Sequence, residues 1–78
     1  MAQAVEEITL RGLRQRRGSI GQVSRATGLA RSQISRYERG LAVPRLAAAK
    51  ALAEYLGITP EEVMVLAVEE MQRRKKCG

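Results

Sequence analysis

The chain has 78 residues, enough for one small domain, and 45% of them are hydrophobic although Phe and Trp are absent, so an aliphatic core has to hold it together. Fourteen basic residues against eight acidic ones leave a net charge of +6. With no His, no Asp and a single cysteine, Cys77, the chain assembles no acid–base constellation for an enzyme, no metal-ligand cluster or cofactor site, and no intrachain disulfide.

No window sustains the period-two alternation of a strand, so an all-α fold is expected. Residues 4–17 predict a first helix with Val5, Ile8, Leu10 and Leu13 apolar, Glu6 and Glu7 near its positive end, and Gly12 as a weak point. Ser19 follows as the N-cap of a second helix, with Gln22 three residues on to complete a capping box. Gly28 ends that helix in the left-handed conformation, Leu29 turns into the core, and a third helix starts near Ala30, which has no capping side chain. Ile34 and Tyr37 lie one turn apart and point inward, so Arg31, Ser32, Gln33, Ser35, Arg36 and Arg39 take the outer faces. That set suits double-stranded DNA: Arg forks onto the O6 and N7 of guanine, Gln does the same on adenine, and Ser adapts to either.

Gly40 should end the third helix, and Pro44 should open a fourth over residues 44–56, with Leu46, Ala49, Leu52, Ala53 and Leu56 as its core stripe. Thr59, Pro60, Glu61 and Glu62 form a strong start for a fifth helix, expected over residues 60–74. Residues 63–68 are apolar on every side, more than one small core covers. Val63, Leu66 and Ala67 are expected to face the domain, leaving Met64, Val65, Val68 and Met71 as a two-fold homodimer interface. Residues 1–72 then form a single domain, and 73–78 a basic tail that should fray.

Charge is unevenly spread. Residues 11–50 hold ten basic groups against Glu38 alone, whereas residues 51–72 hold five glutamates and no basic group. Such a split points to nucleic acid as the partner of the first half. Exposed aromatics for stacking single-stranded RNA are missing, since Tyr37 is expected to be buried and Tyr55 lies on the fourth helix.

Val23, Ser24, Gly28, Leu29, Ile34 and Tyr37, followed by Glu38-Arg39-Gly40 and Pro44, resemble the helix-turn-helix of the phage repressor and Cro family over residues 13–63. The resemblance implies a compact five-helix domain with its helix-turn-helix at residues 19–40. It puts base-edge contacts on Arg31, Ser32 and Arg36, with Gln33 flanking, and phosphate contacts on Arg39 and Arg45. Ser19, Gln22 and Ser35 are further phosphate candidates. It also implies a structural ion pair between Arg14 and Glu38. Two positions depart from the family: Ile20 stands where glutamine is usual, and Ala30 where Ser or Thr caps the third helix.

The function expected is a sequence-specific transcriptional regulator, a repressor binding a palindromic operator as a homodimer through the major groove. The alternative is a protein-interaction module that docks an unknown partner through the fifth helix, with DNA binding secondary. No apolar run reaches the roughly 18 residues of a membrane span and no basic-then-apolar leader is present, so a cytoplasmic, nucleoid-associated protein of bacterial or phage origin is expected.

Overall fold

A computed structural model of the chain describes residues 8–77. The first helix, α1 (Leu10–Arg17), starts at Thr9, whose extended backbone and hydroxyl, accepting from the Gly12 amide at 3.0 Å, set the cap. The helix therefore begins later than residue 4, and Ile8 stands outside it, exposed rather than on its apolar face. The expected contribution of Val5, Glu6 and Glu7 lies outside the described residues.

Helix α2 (Ile20–Thr27) begins with the expected reciprocal cap: Ser19 Oγ accepts from the Gln22 amide at 3.2 Å, and Gln22 Oε1 accepts from the Ser19 amide at 2.8 Å. Helix α3 (Arg31–Glu38) follows after a three-residue turn. Its end is a Schellman turn, in which the Leu41 amide donates to Arg36 O at 2.9 Å and the Gly40 amide to Tyr37 O at 3.3 Å, with Gly40 at φ 75°.

Helix α4 (Leu46–Leu56) starts two residues after Pro44, which is fully buried and precedes the cap rather than opening the helix. Leu46, placed in the core stripe by its spacing, is 59% exposed; Ala48 is buried instead, together with Ala49, Leu52, Ala53 and Leu56. Because Leu46 is the first helical residue, it sits at the rim, where no neighbouring element covers it.

Helix α5 (Pro60–Cys77) has a capping box of its own, with Thr59 Oγ1 accepting from the Glu62 amide at 3.1 Å and Glu62 Oε1 accepting from the Thr59 amide at 3.0 Å. It continues through the basic run expected to fray, so that run forms its last turns.

All five helices close on one aliphatic core. Val23, Ile34 and Val63 are fully buried at its centre, with Leu10, Tyr37, Leu52 and Leu56 around them. Each such side chain contributes about 1.5–3 kcal/mol on leaving water. The small residues Ala49, Ala53 and Ala67 let α4 and α5 approach closely, and this pair has the most extensive packing in the molecule. Met64 also packs against the core, which withdraws part of it from the surface set aside for a second copy.

Candidate nucleic-acid interface

The turn between α2 and α3 is fixed by short-range chemistry. Gly28 adopts φ 78° and ψ 7°, and its amide donates to Ser24 O at 2.9 Å. Ser24 Oγ then donates to Leu29 O at 2.5 Å, and the Leu29 amide donates to Thr27 Oγ1 at 3.3 Å. A left-handed glycine and two hydroxyls thus set the angle at which α3 leaves α2.

Ile34 and Tyr37 anchor α3 in the core, so helical geometry directs Ser32, Arg36 and Arg39 straight away from it. All three are exposed, and Ser35 is half-buried beside them. Arg31 and Gln33 stand at the two flanks of this face and are already engaged. The Arg31 guanidinium lies over the first turn of α2: a Cβ added at Gly21 would meet Arg31 Nη2 at 3.0 Å. Gln33 Oε1 accepts from the Ala30 amide at 3.3 Å, and its Nε2 donates to Tyr37 Oη at 3.3 Å. Gln33 therefore supplies the half of a capping box that Ala30 lacks, while holding the ring that anchors its own helix.

Ser19 and Gln22 are exposed at the start of α2, where their oxygens are committed to the cap. Arg39 and Arg45 are exposed at the two ends of the loop that joins α3 to α4.

Beneath this face Arg14 of α1 grips Glu38 of α3 in a bidentate pair, Nε to Oε2 at 2.8 Å and Nη2 to Oε1 at 2.9 Å. Only 14% of the Arg14 side chain and 7% of the Glu38 side chain remain exposed. The hydrogen bonds from Glu38 raise the guanidinium pKa above its ordinary value, with burial opposing the shift and the carboxylate charge adding to it.

Two short helices meeting at a left-handed glycine, with the second presenting an arginine-rich face, match the model of the helix-turn-helix domain family over residues 8–66. The chain belongs to that family. No curated protein and no solved structure matches it. In this helix-turn-helix domain α2 is the supporting helix and α3 the presented one, the arrangement that makes DNA the partner such domains address. Among its described residues, no helix is long and apolar enough to cross a membrane.

Sequence spacing alone missed one residue that supports this face, Gly21 of α2. Its missing side chain leaves the notch that Arg31 fills, and the only local hint is a glycine where a better helix former would stabilise α2.

Proposed function

We propose that the protein is a transcriptional regulator, a repressor that occupies a palindromic operator as a homodimer and lays α3 in the major groove. The observation that carries this reading is the exposed Ser32, Arg36 and Arg39 face, set directly opposite Ile34 and Tyr37 and free of carboxylates. Ser32 and Arg36 address base edges, Arg31 and Gln33 reach them from the flanks, and Arg39, Arg45, Ser35 and the Ser19–Gln22 turn lie along the phosphates. Glu38, the one acid among residues 11–50, is neutralised by Arg14 and directed inward, so it does not repel DNA.

A homodimer is supported by the apolar surface α5 leaves open, where Val65 is 53% and Val68 is 39% exposed, with half-buried Met71 one turn further on. Two copies read two half-sites, spaced by about 10 base pairs or a multiple of that.

Selection from a randomised duplex pool, followed by a salt titration on the best sequence, tests the proposal. Enrichment of a palindrome bound at least roughly 1000-fold more tightly than scrambled DNA is expected. Uniform, steeply salt-dependent binding would reduce the interaction to phosphate attraction and overturn the operator-binding reading.

A further inference from the structure

Along the outer edge of α5 run Glu61, Val65, Val68, Gln72 and Lys75, all exposed and spaced alternately four and three residues apart. This is the spacing of a narrow seam along which two helices pair lengthwise. Its chemistry changes from end to end: acidic at Glu61, apolar at Val65 and Val68, basic at Lys75. Neighbouring residues repeat the gradient, with Glu62 beside the first turn and Arg74 beside the last.

We propose that the seam is covered by α5 of a second copy running antiparallel, with the two-fold axis at Val68. A parallel partner would set Glu61 against Glu61 and Lys75 against Lys75. The antiparallel partner sets Glu61 opposite Lys75 at both ends, about 21 Å apart along the helix, with Val68 against itself and Val65 beside Gln72. It also places each negative helix C-terminus next to a positive N-terminus. An open groove of about 630 Å³ flanks the seam, with Ile8, Leu13, Ile58 and Leu66 as apolar walls and Glu61, Glu62, Glu69 and Arg73 as its charged lining. Of its acidic residues, Glu61 and Glu62 lie opposite Lys75 and Arg74 of the partner helix in this register. The proposal rests on the homodimer reading and adds the orientation and register.

The test uses the full chain and two charge reversals, Glu61→Lys and Lys75→Glu. Glu62 is left intact because it caps Thr59. Each variant, folded by circular dichroism, should dimerise about ten-fold more weakly than the parent in sedimentation, since both end contacts become repulsive. An equimolar mixture should recover parental affinity as a heterodimer, in which every end contact is again Lys against Glu. A parent that dimerises while both reversals leave its affinity unchanged overturns the register and leaves the homodimer standing. A parent that stays monomeric at high micromolar concentration, with and without DNA, overturns both.

Discussion

At the scale of single residues, the Arg14–Glu38 pair borders the core beside Leu10, Ile34, Tyr37 and Leu56. Removing the cation leaves a carboxylate with little access to water, a loss of about 3–5 kcal/mol for a fully buried pair. Because both side chains keep some exposure, Arg14→Ala should cost about 2–3 kcal/mol in urea denaturation. The raised Arg14 pKa makes its contribution complete below the ordinary arginine value and lost only as pH climbs beyond it. The stability difference between parent and Arg14→Ala should therefore show no loss of Arg14 charge across roughly pH 6 to 9. Gly28 isolates a different effect. Its φ is 78° and nothing lies within 4 Å of an added Cβ, so Gly28→Ala should cost about 1 kcal/mol from backbone strain alone. The Ser19–Gln22 box and the Gly28 stop were legible in the sequence because each depends on residues within a few positions. The seat of Arg31 over Gly21 was not, because it forms only when α2 and α3 are already packed.

Among the elements, the contact between the end of α3 and α5 stands out because it is made by main chain. A Cβ on Gly40 would meet Glu70 O at 2.7 Å and its carbonyl carbon at 2.9 Å. Gly40 shares the left-handed conformation of Gly28 but adds this backbone clash. Gly40→Ala should thus destabilise by about 3 kcal/mol or more in the same denaturation assay, well beyond Gly28→Ala. Helix number and type followed from apolar spacing and glycine stops, which act locally. Helix ends were less legible. Thr9 captured the start of α1 because its hydroxyl satisfies the Gly12 amide, and the buried Pro44 became part of the loop that leaves Leu46 at the rim. In α5 an even apolar pattern does not say which side packs, and tertiary contact drew Met64 inward while leaving Val65 out.

For the whole molecule, residues 11–50 carry the positive surface and residues 61–70 of α5 the acidic and apolar one, so DNA binding and self-association occupy separate faces in the proposed regulator. Arg39→Ala should weaken binding to all sequences alike and lower the salt slope by about 1, the signature of one phosphate contact. Arg36→Ala should cost about 1–3 kcal/mol on the selected operator and change binding to scrambled DNA far less, as read in competition titrations. The domain and its presented helix were readable from one chain because all their contacts are internal. Which bases are read and how two copies align depend on partners whose chemistry the chain only complements. In the proposed homodimer, the main-chain contact at Gly40 then sets how the two presented helices can be moved apart. Because Gly40 has no side chain to lengthen or trim, the end of α3 keeps a fixed place on α5, and in the proposed dimer the pair of domains acts as a caliper with a fixed jaw. A different operator spacing would require sliding one α5 along the other, in steps near one helical turn of about 5.4 Å. Half-site separation should therefore evolve in jumps, while base preference on the outer face drifts freely.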